Sequence, residues 1–385
     1  MPRSLQPGLS RRRFLAGSGA LAAGALAVGA CSGGGEVVVP TEVASRDPMD
    51  LDLIGLPGLR QPGSDDRIAI TVRGRRILQV GQDVVDGAQT LDTDGGVVVP
   101  GFTDSHVHLQ FADPTDLLAG GVTTVRDLGG PPDAAQALRG QTDLRVLLAG
   151  RILTPMGGYP TTSWGADGTG RQISGPEDAV AAVDEQVMAG ATVVKVALEP
   201  SGGLPVFGEA TLRAIVDHGI DAGLRVTAHV GSAEMLELAI ETGVRELAHL
   251  PLHDVTEAEM IRAAEAGMVL VPTLLIRGPD DGALAALRAF REAGGEVLYG
   301  TDLGNGGTTP GIEVAEVELL QAAGMSPAEV LRAATSDPAL YLGLDNGRLE
   351  QNAVADLVVL GSDPFEDPRA YDDIRLVVAN GVVIG

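Results

Sequence analysis

Five short segments of this chain end in residues that can hold a metal ion. His106 and His108 stand two apart in Asp104-Ser105-His106-Val107-His108. On a strand, side chains at that spacing share one face, so both imidazoles can enter one site. Thr227-Ala228-His229 and Leu247-Ala248-His249 each close on an imidazole, and Gly300-Thr301-Asp302 closes on a carboxylate. Imidazole and carboxylate together suit zinc, manganese or iron. The remaining segment is Val193-Val194-Lys195, and among the 27 Lys and Arg residues Lys195 alone is lysine. A chain that uses arginine almost everywhere and keeps one lysine points to a position where a primary amine is needed and a guanidinium would fail.

The elements that must position these groups alternate between strand-like and helix-like sequence over residues 100–344. Candidate strands are 97–104, 122–127, 144–148, 191–196, 224–228, 245–248, 268–272 and 296–300, with amphipathic stretches between them. Strands followed in turn by helices fit an α/β fold of the TIM type, a (β/α)₈ barrel of about 250 residues. A doubly wound open sheet is the alternative, and the strand count favours the barrel. In such a barrel the functional groups come from the C-terminal ends of the strands, which is where the histidines, the lysine and Asp302 fall. The flanks read differently. Residues 52–99 and 345–385 carry short β-hairpin patterns, which predicts a small β-sandwich built from both ends of the mature chain.

Composition limits the partners. The formal charge is −25, with 44% hydrophobic and 21% charged residues. So acidic a chain has little with which to neutralise phosphates, and nucleic-acid binding is not expected. A small-molecule substrate is the expected partner, and self-association into a homo-oligomer is left open. Residues 1–31 read as an address rather than as fold. Arg11-Arg12-Arg13-Phe14-Leu15 before a Gly/Ala-rich apolar stretch resembles a twin-arginine export signal. Val28-Gly29-Ala30-Cys31 resembles a bacterial lipobox, with Cys31 as the lipidated residue. Cys31 is the one cysteine, so no intramolecular disulfide can form. Residues 32–51 read as a tether. The expectation is an exported protein, lipid-anchored to the bacterial cell membrane.

Pro100-Gly101-Phe102-Thr103-Asp104-Ser105-His106-Val107-His108-Leu109 resembles the opening motif of the amidohydrolase superfamily, and Ala355-Asp356-Leu357-Val358-Val359-Leu360 resembles its return to the β-sandwich. Lys195, Tyr299-Gly300-Thr301-Asp302 and Gly121-Val122-Thr123-Thr124-Val125-Arg126-Asp127 resemble the imidazolonepropionase-like and prolidase-like branch. The resemblance implies two divalent ions, taken as Zn²⁺. His106, His108 and Asp302 would hold one and His229 and His249 the other. A CO₂-derived carbamate on Lys195 would bridge them. It also implies a metal-bridging hydroxide that attacks a carbonyl, with Asp302 moving the proton to the leaving nitrogen.

The expected activity is hydrolysis of a C–N amide bond in a small cyclic amide or dipeptide-like molecule. Lactone, ester or phosphoester cleavage on the same binuclear centre is the alternative. A mononuclear deaminase fits less well, because the glutamate such enzymes place three residues after the fifth-strand histidine is Ser232 here, with Glu234 two residues beyond. A non-catalytic solute-binding lipoprotein would have no use for the metal set. For substrate contacts the candidates are His253, Tyr159, Arg151 and Arg277, the arginines as grips for a carboxylate. Asp104 is read either as a partner for His106 or His108 or as a strand terminator, and His218 as a surface or packing residue.

Overall fold

The computed structural model describes residues 53–131, 138, 140, 142–251, 253–278 and 280–384. The expected leader over 1–31, with Cys31, and the expected tether over 32–51 lie outside the described residues.

The apolar runs of the middle of the chain form parallel strands. One sheet holds Phe102–Val107, Val122–Asp127 and Arg145–Leu148. A second has seven strands, in the order Gly170–Ile173, Ile152–Pro155, Val193–Leu198, Arg225–Val230, Glu246–Leu247, Val269–Leu270 and Glu296–Val297. Every residue of Phe102–Val107, Val122–Asp127 and Val193–Leu198 is buried. Burial on both faces is why these strands show no alternation of apolar and polar residues. Helices such as Pro176–Met188, Glu209–Asp221, Ala233–Thr242 and Asp281–Glu292 lie between successive strands, which makes the order that of a TIM-like α/β fold.

Hydrogen bonds and one ion pair join the two parallel sheets. Ser105 N–H donates to the Tyr299 carbonyl (3.0 Å), Asp302 N–H to His106 (2.8 Å) and His108 N–H to Leu303 (2.8 Å). On the other side Thr192 N–H donates to Leu148 (2.8 Å). Between them, Arg126 donates two hydrogen bonds to Glu246, at 2.8 and 2.6 Å, and a third to the Ser105 carbonyl at 2.9 Å.

The strand Ile152–Pro155 was not expected. The run 144–148 continues past a bend at Ala149-Gly150-Arg151 into Ile152–Pro155, which belongs to the other sheet. Gly150 has φ +74°, a conformation that favours glycine. Periodicity alone does not reveal that the chain re-enters a sheet after such a bend.

Both ends of the described chain meet in one eight-stranded mixed sheet. Leu53–Arg60, Arg67–Arg73, Arg76–Gly81, Gln89–Thr90 and Val97–Pro100 come from one end, and Leu357–Leu360, Ile374–Ala379 and Val382–Ile384 from the other. Leu357–Leu360 runs antiparallel to Val97–Pro100. Leu56, Ile70, Val72, Val98, Leu357 and Val359 form a core of their own there.

Candidate metal centre

The first strand delivers His106 and His108, both buried, to one point. Their Nε2 atoms lie 3.2 and 3.1 Å from the same oxygen, Asp302 Oδ1. Each ring is oriented from behind. His106 Nδ1 donates to the Ala248 carbonyl (2.6 Å) and His108 Nδ1 to the Gly129 carbonyl (2.7 Å). A carbonyl can only accept, so the proton sits on Nδ1 and each Nε2 presents a lone pair. Asp127 fixes that second carbonyl, because its carboxylate accepts from Gly129 N–H (2.9 Å) and from Leu109 N–H (3.1 Å).

Asp302 follows the last strand in a left-handed conformation, φ +54°. Its backbone is held by His106 and by Asn305, whose Nδ2 donates to the Asp302 carbonyl at 3.0 Å. Burial opposes its ionisation, but the imidazoles of His106 and His108 outweigh burial and hold the carboxyl well below the usual carboxylate range.

The second group is built on two neighbouring strands. His229 Nε2 donates to Glu199 Oε2 at 2.8 Å, leaving Nδ1 as its lone pair, and His249 Nε2 meets that Nδ1 at 2.5 Å. Two ring nitrogens so close need one proton shared between them. Burial pushes His229 and His249 below the ordinary histidine value. Lys195 is buried in the same cavity, and burial brings its ammonium down to about 7.

The donor set fits divalent metal. His106 Nε2 and Asp302 Oδ1 are buried without a hydrogen-bond partner. Buried polar atoms are rarely left so, and these two face one another within a His106–His108–Asp302 group compact enough for one ion.

The cavity measures about 480 Å³ and gathers all six expected ligands. Of the four residues expected to touch substrate, Tyr159 lines it. The other three are not brought to its wall. Arg151 is exposed. Arg277 donates to the Pro251 carbonyl and pairs with Asp280 at 3.4 Å. His253 is exposed, in a bridge with Ser232. His218 pairs on the surface with Asp184 (2.7 Å). Asp104 touches neither imidazole; it accepts from the backbone N–H of His106 and Thr301 and from the Thr301 hydroxyl, joining the first strand to the segment that carries Asp302.

Sequence reasoning missed Glu199. Its signal was position, an acid directly after the strand that carries Lys195. Phe111, Ile152 and Ile276, which also line the cavity, gave no signal of their own.

A profile of the amidohydrolase family matches residues 97–384. An uncharacterised protein of Mycobacterium tuberculosis is 31% identical over 347 residues, covering 80% of this chain and 90% of that one. The ochratoxinase of Aspergillus niger is 25% identical over 195 residues, 44% of this chain and 39% of the relative. Among solved structures, a Bifidobacterium longum protein assigned as a prolidase superposes with a TM-score of 0.74 at 28% identity, covering 86% of this chain and 94% of its own.

Proposed function

This chain belongs to the amidohydrolase family, and on that premise we propose that it is a binuclear metal-dependent hydrolase cleaving a C–N amide bond in a small molecule. One observation carries the reading: His106 Nε2 and His108 Nε2 converge on Asp302 Oδ1 while His229 and His249 converge on one another, in one cavity with Lys195. Likeness to a protein assigned as a prolidase and to an ochratoxinase supports amide chemistry.

His106, His108 and Asp302 would hold one ion, His229 and His249 a second, and Lys195, as its carbamate, would join the two. Carbamate formation is balanced: the neutral amine adds to CO₂, a new N–C bond forms and one proton leaves. Bound there, two divalent ions, zinc by the donor set, supply a nucleophilic water at neutral pH and polarise the substrate carbonyl. The chain's own groups do the rest. Asp302, ionised and facing the cavity, takes the proton of the attacking water and passes it to the leaving nitrogen. The carbonyls of Ala248 and Gly129 keep the rings of His106 and His108 in the tautomer that leaves Nε2 available.

The deaminase alternative loses support from local structure. Ser232 caps the helix Ala233–Thr242, accepting from Met235 N–H, and Glu234 is exposed. We further read the two parallel sheets as one closed (β/α)₈ barrel and the mixed sheet as folded into a sandwich. The export leader and the lipid on Cys31 are part of the same proposal.

Elemental mass spectrometry of protein prepared with zinc and bicarbonate tests the centre. About two ions per chain are expected, falling to one or none in Lys195→Arg, with nearly all amide hydrolysis lost. Normal turnover by that variant would sink the carbamate bridge.

A further inference from the structure

We propose that the substrate is an uncharged amide carrying an aromatic or bulky apolar group, and not a free dipeptide or other carboxylate; the inference rests on the hydrolytic reading above. It comes from the part of the cavity that the metal set does not occupy.

Three aromatic rings form one wall. The Tyr159 ring stacks on His229, with centroids 4.8 Å apart and planes at 23°. Trp164 stands edge-on to His108 at 5.0 Å, and its indole N–H donates to the Tyr159 hydroxyl at 2.8 Å. Phe111 extends the wall, 6.2 Å from Trp164. The wall therefore runs from the first pair of histidines to the second, so a group attached to a carbonyl held between the pairs lies against rings. Ile152 and Ile276 face the same space. Phe111 is 55% exposed, an apolar surface that a bound ring would cover.

Charge argues the same way. Among the described lining residues Lys195 is the one cation, and it belongs to the metal set. Both arginines that could have gripped a carboxylate are committed elsewhere or exposed: Arg277 to Pro251 and Asp280, Arg151 facing solvent. A carboxylate lying beyond the metal set, against these rings, would lose its hydration and meet no arginine or lysine among the described lining residues, which is unfavourable. Asn305 adds a neutral polar group to the lining. Its Nδ2 gives one hydrogen to the Asp302 carbonyl and its Oδ1 can accept, which suits an amide N–H.

The test uses a matched pair, N-benzoylglycinamide and N-benzoylglycine. Both carry the same acyl ring and the same benzoyl–N bond, and they differ by a carboxamide against a carboxylate. Trp164 is the chain's single tryptophan, so its emission reports binding in the cavity directly, independent of turnover. The full chain, prepared with zinc and bicarbonate, is titrated with each compound and benzoate release is followed separately. The neutral amide should bind about tenfold more tightly or better. Phe111→Ala should weaken that binding several-fold without changing metal content. Equal or tighter binding of the acid overturns the proposal, as does no saturable change with either compound. Preferential binding of the amide with no release of benzoate upholds the ligand class and overturns the hydrolytic reading instead.

Discussion

Glu199 acts on the candidate centre through another residue. It accepts from His229 Nε2 at 2.8 Å, and that bond decides which ring nitrogen of His229 carries the proton. Without an acceptor the proton can move to Nδ1, the atom that faces His249. Groups that orient a metal-binding histidine in this way typically contribute 10–100-fold to metal affinity. Glu199→Leu should therefore weaken zinc binding by about that factor in a chelator competition, while Glu199→Gln, which keeps an acceptor, should restore most of it. Equal affinity in Glu199→Leu and the unaltered chain would remove Glu199 from the centre. The contrast between this residue and the histidines shows what the sequence discloses. His106 and His108 are legible because a strand's two-residue period puts both on one face, and Lys195 because no other lysine competes with it. Glu199 is one of 52 acids, and nothing in its type marks it; a contact made 30 positions away, with His229, gives it meaning. Arg151 and Arg277 show the reverse, since side chains at the ends of strands take their direction from packing that spacing does not encode.

At the level of elements, the parallel strands are legible because burial on both faces leaves largely apolar runs such as Val193–Leu198, interrupted only by Lys195. The bend at Gly150 is not, since a left-handed glycine ends a strand as readily as it divides one. The inward ion pair was also hidden. Arg126 and Glu246 come from different parallel sheets, and their side chains are 1% and 0% exposed. Burying two charges is costly, and the pair is tolerable because each side satisfies the other with two hydrogen bonds. Removing one partner leaves an uncompensated charge in the interior. Arg126→Met should thus lose about 3–5 kcal/mol of stability in urea unfolding. Arg126→Met combined with Glu246→Leu should recover most of that loss, because two apolar side chains of similar volume leave no buried charge. A double variant as unstable as the single one would show that packing, and not the lone charge, sets the cost.

For the whole molecule, the question is where a chain with this charge and this N-terminus works. The described residues form an α/β protein with one candidate metal-binding group, His106, His108 and Asp302, and no helix among them is long and apolar enough to cross a membrane. The expectation of a membrane comes from the sequence outside them: arginines at 11–13, an apolar stretch, and the chain's one cysteine at Cys31. We propose that these residues carry the folded protein across the membrane and leave it held there by lipid. A pre-folded route suits a protein whose ligands come from segments as distant as His106 and Asp302, because the site exists only once the chain has folded and can then take up its ions before export. Anchor and chemistry should be separable, since acyl chains on residue 31 bury apolar surface in the bilayer while His106 through Asp302 do not depend on them. Cys31→Ser should move the protein from the membrane pellet to the soluble exported fraction, with its metal content and amide hydrolysis unchanged. Retention of that variant in the pellet would mean that something other than the lipid holds it, and the lipobox reading would fall.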